Sequence, residues 1–291
     1  MSGRVGESSS SRRRTAAKSP RYDRSITVFS PEGRVFQVDY ARNSVKLEGI
    51  TSVAVRGADS VCVITQRTKA PADPLLDTAD PAFMHLFQIT ERLGMLATGM
   101  PGHDDTLPFY LSTSVLLTGI FVTEADGRAL AQQARNEAAG FRYKWGYEMP
   151  PKMLAQWLGD RAQVRTQHDG MRPYRVVATV VGIDEEKGTP ELFTCDPAGQ
   201  VLGHKATSVG LEDQEAIEFL EEAMAGNSSL SFQETMEMAV SALRHVLEDN
   251  NQGHDIEVGV VRKNYPTFRT VLRRIYKNPL AGQNILDGEG Q

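Results

Sequence analysis

A chain of 291 residues, of which 40% are hydrophobic and 24% charged, has the composition of a folded globular protein. Its formal net charge of -5 disfavours nucleic acid as the main partner, and no stretch approaches the roughly 18 consecutive apolar residues of a membrane span, so we expect no membrane partner. Cys62 and Cys195 lie in apolar runs, which favours buried, reduced thiols in the cytoplasm or nucleus over a disulfide.

The first part of the chain combines a tail with two short elements. Residues 1–20 are rich in Ser, Arg, Gly and Ala, which predicts a mobile tail. The arginines at 12–14 have two interpretations, a nuclear localisation signal or a solvated tail, and the second is the simpler one. The run SITVFSPEGR predicts a short strand with Ile26 and Val28 on one face, and apolar residues spaced by three and four from Val35 predict a helix.

The middle of the chain changes from strand signals to helix signals. Two β-rich runs on either side of Gly57 predict a hairpin, and short strands follow at HLFQIT and GMLATG. From Thr123 the apolar period becomes helical, and Thr123 with Asp126 matches a capping box that begins a long helix. A second helix begins near Pro151, where the missing N–H of proline does no harm.

The order of the elements indicates the fold class. Strand signals return at VVATVVGID, ELFTCD, QVLG and KATSVG, and two helices and a final strand pair follow. Helices occur in pairs and do not alternate with strands, which disfavours parallel doubly wound folds. The sequence therefore predicts an α+β fold, a four-layer αββα sandwich of two antiparallel sheets, in one domain over residues 21–272. Residues 273–291 are expected to form a C-terminal tail.

Several segments together resemble one family. YDRSITVFSPEGRVFQVDYA, residues 22–41, is similar almost position for position to the N-terminal signature of proteasome alpha subunits. GYEMP, TQHDGMRP, VGIDEEKG, CDPAG and IEVGVV look like later landmarks of that family in the right order, and LFQITERLG, YKWGYEMP and IDEEKG are most similar to its alpha type-6 member. The resemblance implies the fold of the N-terminal-nucleophile hydrolases. It also implies a ring subunit of the proteasome core particle in ubiquitin-dependent protein degradation.

The catalytic positions of the superfamily are altered in this chain. Catalytic relatives use an N-terminal threonine whose own α-amino group acts as base, with an aspartate and a lysine nearby. The resemblance places Ile50 at the threonine, Gln66 at the aspartate and His85 at the lysine. Thr51 comes one residue late, so its side chain should point to the other face of the strand. We therefore predict a non-catalytic chain.

Other kinds of site have little support in the sequence. The histidines and cysteines lack zinc-site spacing and the glycines form no phosphate-binding motif, so we expect neither a metal nor another cofactor. Two alternatives to a non-catalytic ring subunit stay open at this point: a catalytic beta-type threonine protease, and a free-standing scaffold protein of the same fold. A removable propeptide before a threonine would indicate the first, and migration as a lone chain on a native gel would indicate the second.

The resemblance also implies a gate and a set of partners. Tyr22, Asp23, Pro31 and Tyr40 match the cluster that holds the family's entry pore open, and Arg24 completes the Tyr-Asp-Arg motif. The expected partners are neighbouring alpha subunits, beta-ring subunits, and a regulatory particle or other activators, in the cytoplasm and nucleus. His85 also stands where a lysine often receives an activator's terminal carboxylate. An imidazole attracts a carboxylate less strongly, so this activator pocket should be weak.

One segment departs from the family pattern. Residues 101–122 separate ATGM from TEADGR, which family members join directly. The segment carries an apolar run of about 14 residues, which is too short to cross a membrane and would leave an exposed patch. We favour the interpretation that it is translated intron sequence absent from the working protein. A genuine surface loop is the alternative.

Overall fold

The computed structural model describes residues 21–47, 50–67, 84–99, 123–226, 229–247 and 254–275. The predicted tail at 1–20, the segment 101–122 and residues 276–291 lie outside these ranges. In chain order the elements are α1 (Arg21–Arg24), α2 (Phe36–Leu47), β1 (Thr51–Arg56), β2 (Ser60–Gln66), β3 (Leu86–Gln88), β4 (Leu93–Thr98), α3 (Thr123–Trp145), α4 (Pro151–Gln167), β5 (Val177–Ile183), β6 (Pro190–Cys195), β7 (Val201–Gly203), β8 (Ala206–Gly210), α5 (Asp213–Met224), α6 (Phe232–Val246), β9 (His254–Arg262) and β10 (Tyr265–Ile275).

Within these ranges the strands form two five-stranded antiparallel sheets. The first sheet has the order β10-β9-β2-β1-β8, and the second sheet has the order β3-β4-β5-β6-β7. The hairpin predicted around Gly57 is confirmed as β1 and β2, with Ser52 opposite Thr65. At its turn the Gly57 amide donates to the Ser60 carbonyl over 2.8 Å.

Three layers of buried apolar side chains, each lying between two layers of secondary structure, hold the sheets and helices together. The second sheet packs its outer face against α3 and α4, and the first sheet packs its outer face against α5 and α6. The third layer lies between the two sheets and includes Leu96 of the second sheet and Val63 of the first. The predicted four-layer αββα sandwich is therefore confirmed. Among the described helices none is long and apolar enough to cross a bilayer.

Both ends of the described domain differ from the sequence prediction. β10 continues to Ile275, which is 1% exposed, so the last strand passes the domain end predicted at 272. The short strand predicted around Ile26 and Val28 is wrong, because residues 25–30 have no strand assignment. The Ser25 amide instead donates to the Arg21 carbonyl over 3.0 Å and closes the helical turn of α1. Ile26 is still buried, although it does not belong to a strand.

Helix α2 lies against the sandwich through one apolar face. Val38, Ala41 and Val45 are buried on that face, as their spacing predicts. Two ion pairs fix its polar side: Arg42 binds Asp196 in the turn after β6, and Lys46 binds Asp213 at the start of α5 over 2.9 Å. The helix is thereby linked to the turn after β6 and to the start of α5.

Candidate functional site

Three aromatic rings connect α1 with α2. The Phe36 ring centroid lies 5.8 Å from that of Tyr22 and 6.2 Å from that of Tyr40, and the second pair is stacked at 20°. Phe36 and Tyr40 are four residues apart, so they share one face of the helix. Tyr22 and Tyr40 are among the predicted gate residues. Phe36 is a contact that the sequence reasoning missed, although its spacing from Tyr40 was a usable signal.

Asp23 joins the same cluster through polar contacts. The Tyr40 hydroxyl donates a hydrogen bond to the Asp23 carboxylate, and the Gln37 side-chain amide donates to the Asp23 carbonyl. The hydrogen bond to Asp23 is the main reason why the pKa of the Tyr40 hydroxyl lies above its usual value of 10.0. Residues 36, 37 and 40 of α2 thus contact both the backbone and the side chains of α1 and hold the two helices together. Gln37 was also missed from the sequence.

The other two predicted gate residues lie at the margin of this cluster. Pro31 is exposed in the turn before α2, where the Gly33 amide donates to the Ser30 carbonyl over 2.9 Å. The turn suits Gly33, whose φ is 76°. Arg24 is exposed at the end of α1 and lines a cavity of about 320 Å³. The hydrogen bonds and ring contacts therefore unite Tyr22, Asp23 and Tyr40.

The segment after α1 contacts the turn that follows α4. The hydroxyl of Thr27 donates to Asp169 over 2.7 Å, and that of Ser25 donates to the same carboxylate oxygen over 3.2 Å. The turn is fixed in its own right, because Arg172 donates two hydrogen bonds to the carboxylate of Asp126, over 2.6 and 2.8 Å. Asp126 is thus engaged by Arg172. The side chain of Thr123, its partner in the predicted capping box, lies outside the described side chains.

Ile50, the residue predicted to stand at the position of the catalytic threonine, lies directly before β1. Ile50 is buried, and its carbonyl accepts a hydrogen bond from the Leu211 amide over 3.3 Å. The Thr51 amide donates to the side-chain oxygen of Gln66 over 2.8 Å, and its hydroxyl accepts from the Glu212 amide over 3.3 Å. The backbone nitrogen of Thr51 is therefore a hydrogen-bonded peptide amide, whereas the base in catalytic members of the superfamily is a free amine.

Hydroxyl groups fill the space beside this strand. Ser52 and Thr65 share a hydrogen bond of 2.7 Å within the first sheet. Thr98 of the second sheet donates to the Ser52 hydroxyl over 3.1 Å, and Ser208 donates to the Ser52 carbonyl over 3.1 Å. All four side chains are buried. The network satisfies these groups among themselves and joins the two sheets at the end where β1 begins.

His85 is buried and is not presented at the surface. It is 2% exposed, and burial lowers the pKa of its imidazole to about 4. Its backbone amide and that of Leu86 donate to the Glu257 carboxylate over 2.9 and 3.1 Å. Burial raises the pKa of Glu257 to about 7, against the opposing effect of these amides and of Arg67. A neutral, buried imidazole is a poor receptor for an incoming carboxylate, so this geometry argues against the activator pocket predicted at His85.

The described residues give no sign of a metal centre. They include no group of three or more His, Cys, Asp or Glu side chains that could hold an ion. Cys62 and Cys195 are buried free thiols, and burial raises the pKa of each to about 12. Both thiols are therefore protonated and unreactive at neutral pH.

Comparison with known proteins identifies the family. A family model for proteasome subunits matches residues 109–261, and a second model, for the N-terminal signature of A-type proteasome subunits, matches residues 22–43. The chain is 39% identical to the probable alpha type-1 proteasome subunit of Schizosaccharomyces pombe over 86% of its own length and 91% of that protein. It belongs to the proteasome alpha-subunit family.

Further relatives show how broad this likeness is. The alpha type-6 proteasome subunit of Caenorhabditis elegans is 34% identical over 85% of this chain and 89% of that protein. The proteasome alpha subunit of Methanopyrus kandleri is 33% identical over 87% and 89%. The predicted likeness to alpha type-6 members is thus matched by a relative of that name, while the relative named alpha type-1 is more similar. The cluster formed by Tyr22, Asp23, Phe36, Gln37 and Tyr40, here named the gate cluster after its predicted role, lies entirely within the matched signature at residues 22–43.

Proposed function

We propose that this chain is a non-catalytic subunit of the alpha ring of the proteasome core particle and that it gates the entry of substrates to be degraded. The proposed partners are neighbouring alpha subunits, beta-ring subunits and activators, and the proposed place of action is the cytoplasm and nucleus. Degradation of ubiquitin-tagged proteins is the proposed process. The observation that carries the proposal is the contact of Tyr40 with Asp23, which joins two predicted gate residues within the family's signature segment.

The absence of catalysis is supported by the geometry around β1. A threonine protease of this superfamily needs a free amine next to the nucleophile, and Thr51 has a peptide amide bonded to Gln66. The position before it is the buried side chain of Ile50. Peptide hydrolysis would then be the task of other subunits, and the alpha ring would control access to them.

The gate cluster has the properties of a switchable contact. Tyr40 is 48% exposed, and it is held by one hydrogen bond and by stacking on Phe36. Such a contact can break without disturbing the apolar core, since the buried face of α2 is formed by Val38, Ala41 and Val45. Breaking the contact would then allow α1 to move relative to α2.

Tyr40→Phe tests the proposal because it removes the hydroxyl and keeps the ring. In reconstituted core particles it should lower activator-stimulated hydrolysis of a fluorogenic peptide about three-fold, while particle assembly on a native gel stays normal. Tyr143→Phe is the matched control, because Tyr143 is 95% exposed on α3. Equal stimulation in the Tyr40→Phe and control particles would contradict the gating role. Migration of the chain by itself, outside any particle, would instead support the free-standing scaffold.

A further inference from the structure

The carboxylate of Asp169 is a meeting point for two hydroxyls of the segment that follows the gate motif. Ser25 and Thr27 both donate to its Oδ1 atom, and their own hydroxyl oxygens lie 3.1 Å apart. Asp169 is separated from these residues by 144 and 142 positions in the sequence. The contact therefore joins the N-terminal segment to a turn that belongs to the body of the domain.

The turn that carries Asp169 is firmly attached to the domain. The carboxylate of Asp126 on α3 binds Arg172 through both of its oxygens, and its side chain is 8% exposed. Arg165 of α4 donates to the Arg172 carbonyl over 3.4 Å and lies 4.0 Å above the ring of Tyr174. Asp169 is thus an acceptor on a fixed support, to which the N-terminal segment is bound by the hydroxyls of Ser25 and Thr27.

Packing alone does not hold the segment on the turn. A cavity of about 320 Å³ adjoins their contact and is lined by residues 24–26, Gln37 and residues 169–173. Ile26 is the buried apolar anchor of the segment, whereas Thr27 and Asp169 are exposed. Exposed hydrogen bonds of this kind fix direction more than they add stability, because hydrogen bonds depend on angle and distance.

We propose that Asp169 is a positioning residue of the gate: it holds residues 25–27 in the orientation that lets Asp23 reach Tyr40. The inference rests on the proposed gating function and adds to it a residue outside the signature segment. In the structure the Asp169 contacts and the contact between Asp23 and Tyr40 are present together. Loss of the Asp169 acceptor should therefore weaken the arrangement that the gate cluster stabilises.

The test uses core particles reconstituted with Asp169→Ala, Asp169→Asn or Asp160→Ala. Asp169→Ala removes the acceptor, and it should lower the ratio of activator-stimulated to basal peptide hydrolysis about three-fold. Asp169→Asn keeps a side-chain oxygen for both hydroxyls and should retain more than half of the wild-type ratio. Asp160 is an exposed aspartate of α4, and its alanine variant should leave the ratio unchanged.

A double-mutant cycle separates positioning from a general structural effect. Adding Asp169→Ala to a Ser25→Ala/Thr27→Val chain should cause no further loss, since the donors are already absent. A parallel fall of basal and stimulated rates, or a reduced yield of particles, would show a structural role and overturn the proposal. So would an unchanged ratio in Asp169→Ala particles when Tyr40→Phe lowers it. If neither variant changes the ratio, the gating function itself fails and the positioning role fails with it.

Discussion

Glu257 offers a quantitative test of how the sandwich is assembled. Its carboxylate projects from β9 between the sheets and accepts hydrogen bonds from the backbone amides of His85 and Leu86 at the start of β3. Its second oxygen has no hydrogen-bond partner among the described residues. Burial raises its pKa from 4.5 to about 7. The folded chain therefore keeps this proton up to about pH 7, while the unfolded chain releases it near pH 4.5.

The sign of the effect follows from proton binding. Between pH 4.5 and 7 the folded chain binds more protons at Glu257 than the unfolded chain, so this residue lowers stability as the pH rises through that window. His85 acts in the opposite direction: its pKa falls from 6.5 to about 4, so stability is lost as the pH falls below 6.5. The two residues oppose each other, and a pH scan of the wild-type chain alone would hide both.

Glu257→Gln removes the charge and keeps an oxygen for the two amides. From the two pKa values, the raised pKa of Glu257 lowers the free energy of unfolding by about 1 kcal/mol at pH 5 and by about 3 kcal/mol at pH 8. The free energy of unfolding of the variant, relative to that of wild type, should therefore rise by about 2 kcal/mol from pH 5 to pH 8. The cost of burying the new amide group is independent of pH and cancels in the difference. His85 is present in both chains and cancels as well.

The measurement is urea unfolding of the purified chain, followed by tryptophan fluorescence at pH 5 and pH 8. Glu222→Gln is the control, because Glu222 is exposed on α5 and its neutral variant should differ from wild type by nearly the same amount at both pH values. The same free-energy difference for Glu257→Gln at pH 5 and pH 8 would refute the reasoning. It would mean that Glu257 is ionised in the folded chain at both pH values.

Three further predictions concern the ion pair of Asp126 with Arg172, the absence of catalysis, and residues 101–122. Asp126→Ala should lower the free energy of unfolding by about 2 kcal/mol, because the half-buried Arg172 then lacks this carboxylate. An unchanged urea midpoint would count against a stabilising role of the ion pair. A threonine-directed covalent inhibitor should leave this chain unlabelled in intact particles, and mass spectrometry that finds the adduct on it would disprove the non-catalytic assignment. Tryptic digestion should yield LGMLATGMTEADGR if residues 101–122 are spliced out, whereas one peptide spanning 93–128 would end the intron interpretation.

The sequence predicted most of the sandwich because its elements have strong local patterns. The apolar stripe of α2 and the glycine-containing turn of the β1–β2 hairpin are visible within a few residues, and the structure confirms both. The strand predicted near Ile26 failed because a strand also needs a neighbour, and a short alternating run does not specify one. The capping box of Ser231 and Glu234, which begins α6, was readable from its spacing and was missed.

The candidate site was harder to predict, since its contacts join distant parts of the chain. Tyr22, Asp23 and Tyr40 were found through the family resemblance, and Phe36 was within reach through its helical spacing. Asp169 leaves no local pattern, because its two partners lie more than a hundred positions earlier. The burial of Glu257 could not be predicted for a related reason. Both faces of β9 are covered, so a polar residue that alternates with apolar ones in this strand does not indicate an exposed face.

The two ion pairs of α2 make the orientation of this helix sensitive to ionic strength. Arg42 and Lys46 are 44% and 55% exposed, so each pair contributes only about 0.5 kcal/mol and is screened at high salt. The apolar face of the helix is not screened, and burial there grows stronger in salts such as sulfate. High salt should thus leave α2 attached to the sandwich through its apolar face, while its links to the turn after β6 and to the start of α5 weaken.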